Sequence, residues 1–181
     1  MSAHFNPSEY LQSSIIIHPS DAVQLAISKI ATNLTQAFEK TSPVLITVMG
    51  GGLVFSGQLI LKLQFPLTLD YVHVSRYNNK VEGNEPVWTV LPKDNIKGRT
   101  VIVVDDILDE GITLAAIKEK CLSLGAKKVI IVVLVEKILT HQKPIQADLV
   151  GLTVPNMYVF GCGMDIHGWW RNLPAIYAYH P

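Results

Sequence analysis

Apolar, mostly β-branched runs alternate along this chain with segments whose apolar positions recur at helical spacing. Continuous apolarity is typical of strands buried on both faces, as in a parallel sheet covered by helices. The strand-like runs cover residues 44–48, 67–74, 101–104 and 129–135, and the helical patterns cover residues 20–38, 53–64 and 113–124. This βαβαβ order predicts an α/β fold with a doubly wound, mostly parallel sheet flanked by helices.

Two segments depart from this alternation. Residues 75–86 are polar and lack apolar periodicity, which predicts a flap that leaves the sheet before Trp88 and Val90 return to it. The last forty-five or so residues contain short β-like pieces at 149–154 and 158–160, separated by prolines and glycines. We therefore expect one domain over residues 1–181, with a core at about 15–136 and a small hood at about 137–181. Whether the N-terminus contributes to the hood is left open.

The motif richest in chemistry follows the strand at residues 101–104, where three carboxylates precede a Gly-x-Thr turn that opens a helix. Backbone amides at a helix N-terminus favour a phosphate. Acids beside such a site would repel a phosphate, so Asp105 and Asp106 are expected to face a divalent cation or ribose hydroxyls. Asp109 remains for proton chemistry. The alternative is a solvated loop whose Asp109 only caps the helix. The amides of the predicted cradle belong to Glu110, Gly111, Ile112 and Thr113.

A second anion-binding turn is predicted at Met49 and Gly50, which begin a glycine run between a strand and a helix. Such turns serve tight backbone geometry about as often as ligands. Two anion sites at one sheet edge would nevertheless suit a sugar that carries pyrophosphate.

Four residues of the predicted hood could bind a base and a phosphate. Lys137 leaves a core strand and could donate to an exocyclic oxygen, although a solvent-facing lysine is the commoner case. Tyr158 could stack on an aromatic base or simply belong to the core. Asp165 could join a metal shell and Arg171 could hold a phosphate oxygen, although either alone is usually a surface residue.

The amino-acid composition limits the kinds of binding partner that we expect for this chain. Of 181 residues, 49% are hydrophobic and 17% are charged, which fits one compact domain. Fifteen basic residues balance fifteen acidic ones, so no overall field attracts nucleic acid or an acidic membrane. Cys121 and Cys162 lack metal-ligand spacing, which indicates reduced structural thiols and the cytoplasm. Neither a signal-peptide pattern nor a membrane span of about 20 apolar residues is expected.

The acidic segment resembles the phosphoribosyl pyrophosphate signature of the type I phosphoribosyltransferases. The hood is similar in order to that of the hypoxanthine-guanine phosphoribosyltransferases, through Lys137, Ala147-Asp148-Leu-Val-Gly, Pro155, Tyr158-Val159, Gly163-Met-Asp165 and Trp170-Arg171-Asn172-Leu173. The resemblance implies purine salvage: with Mg²⁺, the ribose phosphate passes from phosphoribosyl pyrophosphate to N9 of hypoxanthine or guanine, giving IMP or GMP and pyrophosphate.

The resemblance also implies roles for individual residues. Asp109 would be the catalytic proton acceptor near purine N7, and residues 105–106 and 109–113 would bind phosphoribosyl pyrophosphate. Met49, Gly50 and Arg171 would bind pyrophosphate, and the family often has a cis peptide in the loop at Met49 and Gly50. The base would be bound by Lys137, Tyr158 and Val159, and the flap would start at Ser75, Arg76 and Tyr77. The metal would be held by Asp105, Asp106 and Asp165.

This chain departs from many relatives at three positions. Where this chain has Met49, many relatives have Lys or Asn. Where it has Glu110 they have Thr, and where it has Ile112 they have Lys. Backbone amides would still serve both loops, and a Glu110 side chain that turns away from the phosphate would fit. Two alternatives remain open: a non-catalytic regulator that senses nucleotides or phosphoribosyl pyrophosphate on the same fold, and a xanthine-preferring transferase. Family members are commonly dimers or tetramers, so a homo-oligomer is expected.

Overall fold

The computed structural model of the chain describes residues 6–76 and 86–180. Its helices are α1 (Pro7–Gln12), α2 (Ser20–Phe38), α3 (Gly52–Ile60) and α4 (Ile112–Ser123), with a 3₁₀ turn at Asp94–Ile96. Its strands are β1 (Ser14–His18), β2 (Val44–Met49), β3 (Thr68–Arg76), β4 (Pro86–Val90), β5 (Thr100–Leu108), β6 (Lys128–Lys137), β7 (Leu149–Val154), β8 (Val159–Phe160) and β9 (Ile176–Tyr179).

A six-stranded sheet in the order β4-β3-β2-β5-β6-β7 forms the centre of the fold. All neighbours pair in parallel except β4, which returns antiparallel to β3. Helices cover both faces because strand residues alternate between two apolar layers. Ile102 and Val104 of β5 pack in the layer that contains α2 and α3, whereas Val101 and Val103 pack in the layer that contains α4. The predicted doubly wound α/β fold is confirmed.

A second, three-stranded sheet in the order β1-β9-β8 stands apart from the central sheet. The N-terminal strand β1 therefore pairs with the last strand, β9. The segment 149–154, which we expected in the hood, is instead β7 and extends the central sheet beside β6. Its apolar run was too short and too close to prolines to be distinguished from the hood strands by pattern alone.

Several element bounds differ from the predicted ones in ways that affect the site. β5 continues through Asp105 and Asp106, which therefore belong to a strand and not to the loop after it. Helix α3 ends at Ile60, short of the predicted residue 64. Helix α1 was not predicted; the Trp170 indole nitrogen donates a hydrogen bond of 2.6 Å to the Pro7 carbonyl and so ties α1 to the hood.

Candidate active site

One open cleft of about 470 Å³ lies at the carboxyl ends of β2, β5 and β6. Ligands of parallel sheets bind at this edge. Apart from the three flap residues, every candidate from the sequence lines the cleft: Met49, Gly50, Asp105, Asp106, Asp109, Glu110, Gly111, Ile112, Thr113, Lys137, Tyr158, Val159, Asp165 and Arg171. Residues up to 122 positions apart in the chain thus share one concave surface.

Asp105 and Asp106 are buried at the end of β5, each 8% exposed. Burial raises the pKa of Asp105 well above its ordinary value, and the neighbouring Asp106 charge raises it further. Burial also raises the pKa of Asp106. Backbone amides partly compensate, since Asp105 accepts a hydrogen bond from the Asp106 amide and Asp106 accepts one from the Ile107 amide. A positively charged ligand would favour the ionised form of both groups.

The glycine turn after β2 packs directly on these acids. A methyl group at Gly51 would overlap the Asp106 carboxylate, and one at Gly163 in the hood would overlap the Gly51 carbonyl. Gly163 also has a positive φ of 107°. The Met49–Gly50 peptide is cis. Turn, acidic strand end and hood therefore meet at distances that only glycines allow.

The candidate phosphate cradle lies at the start of α4. Gly111 is the N-cap residue with a φ of 83°, and the first helical hydrogen bond runs from the Ala115 amide to the Gly111 carbonyl. The amides of residues 111–114 precede that ladder and are available to an anion. The Glu110 carboxylate is engaged by the His141 ring at 2.9 Å, so it has a partner other than the cradle.

Asp109 does not cap this helix. Its carboxylate accepts a hydrogen bond of 2.7 Å from the Lys137 ammonium, at the end of the adjacent strand. The Lys137 side chain is only 13% exposed, which rules out the solvent-facing reading. The candidate proton acceptor and the candidate base-reading cation are thus a pair across β5 and β6.

The hood supplies the opposite wall. Arg171 donates to the Gly163 carbonyl and to the Asp165 carboxylate, both at 2.6 Å, and Asp165 also accepts from the Gly168 amide at 2.7 Å. Tyr158 is 52% exposed and lines the cleft, so it is not a core residue. Partial burial of its hydroxyl, with the nearby Asp165 charge, raises the pKa of Tyr158.

The flap prediction is described only in part. Ser75 and Arg76 close β3, and Tyr77 lies outside the described residues, as do residues 78–85. Pattern reasoning also missed Lys143, whose ammonium bonds the ends of β5 and β6. No periodicity or spacing marks this residue, because its partners lie elsewhere in the chain.

Two glycine-containing turns on neighbouring strand ends, with buried carboxylates between them, are the arrangement of the type I phosphoribosyltransferases. Comparison with known proteins agrees: the phosphoribosyl transferase domain family matches residues 15–167. The chain is 31% identical to the hypoxanthine-guanine phosphoribosyltransferase of Bacillus subtilis, covering 92% of this chain and 93% of that protein. It is 33% identical to the hypoxanthine-guanine-xanthine phosphoribosyltransferase of Tritrichomonas foetus, covering 89% and 88%.

Solved structures give the same answer. A hypoxanthine-guanine phosphoribosyltransferase from Bacillus anthracis superposes with a TM-score of 0.85 at 28% identity, over 92% of this chain and 98% of that one. A hypoxanthine phosphoribosyltransferase from Staphylococcus aureus superposes with a TM-score of 0.86 at 25% identity, over 98% of both chains. The chain belongs to the hypoxanthine-guanine phosphoribosyltransferase family. In the part of the chain that the structure describes, no helix is long and apolar enough to cross a membrane.

Proposed function

We propose that this chain transfers the phosphoribosyl group of phosphoribosyl pyrophosphate to N9 of hypoxanthine or guanine and releases pyrophosphate, as a purine-salvage enzyme. Its relatives are named for transfer to these bases. The observation that carries the proposal is the 2.7 Å pair between Lys137 and Asp109, which lies beside two anion-binding turns in one cleft.

The purine binds at the Lys137 end of the cleft. An ammonium group has three donors, so Lys137 keeps its bond to Asp109 while a second hydrogen is donated to the purine 6-oxo group. Asp109 accepts the proton near N7 as N9 forms its bond to the ribose. Tyr158 stacks on the base, and the Val159 backbone contacts its edge.

The sugar and its leaving group occupy the other end. The amides of residues 110–113 bind the 5-phosphate, and the turn at Met49 and Gly50 binds pyrophosphate together with Arg171. Positive charge develops on the ribose ring in the transition state, and the Asp105 and Asp106 carboxylates stabilise it electrostatically.

The donor set fits Mg²⁺. Asp105 and Asp106 are adjacent buried carboxylates whose pKa values are raised by burial, and carboxylate oxygens are ligands that Mg²⁺ prefers. Among residues 6–76 and 86–180, no group of three His, Cys, Asp or Glu side chains forms a metal cage. The ion would then share its coordination with water and substrate oxygens, which is usual for Mg²⁺. When bound, it neutralises charge on the leaving pyrophosphate.

Asp165 has a narrower role in this scheme. Both of its carboxylate oxygens already have protein partners, Arg171 and the Gly168 amide. It would therefore orient Arg171 towards pyrophosphate and would help to hold a second Mg²⁺.

The test is pyrophosphate release from phosphoribosyl pyrophosphate and Mg²⁺, run separately with hypoxanthine, guanine, xanthine and adenine. We expect turnover with hypoxanthine or guanine. The D109N variant should lower kcat by about 10²–10⁴, the usual share of general acid-base catalysis, with little change in the KM for phosphoribosyl pyrophosphate.

Three outcomes would contradict parts of the proposal. Tight binding of phosphoribosyl pyrophosphate without turnover of any base would favour the regulator. Turnover with xanthine alone would favour the xanthine-preferring transferase, and unchanged kcat in D109N would remove Asp109 from the chemistry.

A further inference from the structure

We propose that Lys143 is a positioning residue for the purine end of the active site, where its ammonium group holds the ends of β5 and β6 so that Asp109 and Lys137 meet. The inference rests on the proposed function, and concerns a residue outside the lining of the active-site cleft.

Three oxygen atoms surround the Lys143 ammonium nitrogen. It donates to the Lys137 carbonyl at 2.6 Å, to the Leu108 carbonyl at 3.1 Å and to the Glu136 carboxylate at 3.2 Å. An ammonium group has three hydrogens, so three acceptors use all of its donors. Its side chain is only 10% exposed, and hydrogen bonds from a charged donor are about twice as strong as neutral ones.

The two backbone acceptors lie next to the paired side chains. The Leu108 carbonyl belongs to the peptide that joins Leu108 to Asp109, and the other carbonyl belongs to Lys137 itself. The pairing of β5 with β6 ends at Leu108 and Glu136, one residue before Asp109 and Lys137. Lys143 thus continues the connection between the two chain segments where the sheet pairing stops.

The segment that carries Lys143 is itself fixed at both ends. Its start is anchored by the Ile138 amide, which donates to the Val154 carbonyl at 2.8 Å. Its end is anchored by Asp148, whose amide donates to the Ile131 carbonyl at 2.8 Å and whose carboxylate accepts from the Ile131 amide. A lysine on a segment held in this way has a defined position from which to orient the two strand ends.

The same segment supports the phosphate cradle from behind. A methyl group at Gly111 would come within 3.0 Å of the Ile145 side chain and 3.5 Å of Pro144. Lys143 therefore acts where the cradle, Asp109 and Lys137 converge, and loss of its ammonium should change their relative positions more than their individual folds.

The experiment measures kcat, both KM values and Tm for K143M, with K128M as matched control. Lys128 is an exposed lysine at the end of β6 opposite to the cleft, so its substitution removes an equal charge away from the Asp109–Lys137 pair. We expect kcat with hypoxanthine to fall about 10- to 100-fold in K143M, because displacement of catalytic groups by about 1 Å has effects of that size. The KM for phosphoribosyl pyrophosphate should stay within about threefold, and K128M should match the wild type.

A kcat within twofold of wild type in K143M would overturn the inference, even if Tm falls, because the role would then be structural only. An equal loss of kcat in K128M would overturn it as well. An inactive wild-type chain would instead refute the proposed function, so the two failures are distinguishable.

A second variant addresses failure of K143M to fold. In K143C, alkylation of the thiol with 2-bromoethylamine forms a carbon–sulfur bond, releases bromide and places an ammonium group at nearly the length of lysine. Cys121 and Cys162 are buried and burial raises the pKa of each to about 11, so they react slowly. Recovery of kcat on aminoethylation, but not on methylation of the same thiol, supports positioning by the ammonium; recovery with neither or with both overturns it.

Discussion

Asp105 and Asp106 show at the level of single residues that function and stability oppose each other. Both carboxylates are buried, and burial raises the pKa of each above the ordinary value. The folded chain then binds these protons more tightly than the unfolded chain does. Their contribution to stability is fully present below the ordinary carboxyl pKa of about 4 and is lost as pH rises through the raised value.

D105N should therefore stabilise the protein at neutral pH in the absence of metal. The asparagine oxygen can still accept the Asp106 amide, while the buried charge is removed. We expect Tm at pH 7 to rise by about 2–4 °C, which corresponds to about 1 kcal/mol for a chain of this size, and the gain to disappear near pH 4. Thermal melts across this range, with E119Q as an exposed control, test the prediction. A lower Tm for D105N at pH 7 would contradict it.

Glu110 is the residue that fits a phosphate cradle least well by charge alone. The structure explains its presence, because His141 binds its carboxylate at 2.9 Å. Both side chains are substantially exposed, at 43% and 58%, so the pair adds little to stability. The pair instead sets the direction of the Glu110 side chain, because its partner His141 holds the carboxylate away from the amides of the candidate cradle.

Among elements, the closest fit is between the glycine turn after β2, the acidic end of β5 and the hood turn at Gly163. A methyl group at Gly51 would overlap a carboxylate, and a methyl group at Gly163 would overlap a carbonyl. Close packing of this kind fixes the positions of three chemically different groups at once. It also makes the turn intolerant of the smallest side chain.

G51A should displace the Asp106 carboxylate and lower kcat/KM by about 100-fold, with an overpacking penalty of about 1–3 kcal/mol. The matched control is G57A in α3, where an added methyl group meets nothing within 4 Å. G57A should keep full activity and gain about 0.5–1 kcal/mol of stability, since glycine is unfavourable inside a helix. Steady-state kinetics and thermal melts of both variants test these expectations. Equal activity of G51A and G57A would contradict the role of close packing at Gly51.

The elements that could be predicted are those with long apolar patterns. Periodicity predicts strands β2, β5 and β6, because a strand buried on both faces is continuously apolar. It also predicts helices α2 and α4, because a helix that is buried along one stripe has apolar residues at helical spacing. Helix α1 has six residues and no buried residue, so it carries no such pattern. The placement of β7 in the central sheet depends on its pairing with β6, which is tertiary information.

The residues of the candidate site also differ in whether local sequence could identify them. Asp105, Asp106 and Asp109 were identifiable because local motifs encode a strand, acids and a helix start. The pairs of Asp109 with Lys137, Glu110 with His141 and Arg171 with Asp165 join residues that the fold brings together, and local sequence does not specify such pairs. Lys143 is the extreme case, since its importance lies wholly in its three partners.

At the scale of the whole molecule, one side of the outer strands β3 and β4 is exposed in the part of the chain that the structure describes. The outer strands β3 and β4 expose Leu69, Tyr71 and Val87, which are 55%, 43% and 44% exposed, while the opposite face of β3 packs in the α4 layer. An apolar patch on a chain with no net charge favours association with another protein surface. We propose that this patch contributes to a homo-oligomer.

Light scattering coupled to size-exclusion chromatography should give a dimer or a larger assembly for the wild type. The double variant L69K/V87K should dissociate, because two buried ammonium groups would face each other or apolar surface. L122K is the control, since Leu122 is a 46% exposed leucine on α4. A monomeric wild type, or dissociation by L122K alone, would argue against this surface.

The pairing of β1 with β9 sets the order in which the chain acquires its parts during synthesis. All strands of the central sheet have been made at residue 154, the end of β7. Strand β1, in contrast, can form its hydrogen bonds to β9 only after residues 176–179 have been made. During synthesis, all residues of the central sheet are therefore present before the hood sheet can close. The Tyr179 amide of β9 donates to the Tyr158 carbonyl at 2.9 Å, so the wall of the cleft that contains Tyr158 depends on the last strand of the chain to be made. A chain that stops before β9 would therefore contain the start of α4 and the Asp109–Lys137 pair without this support for the opposite wall.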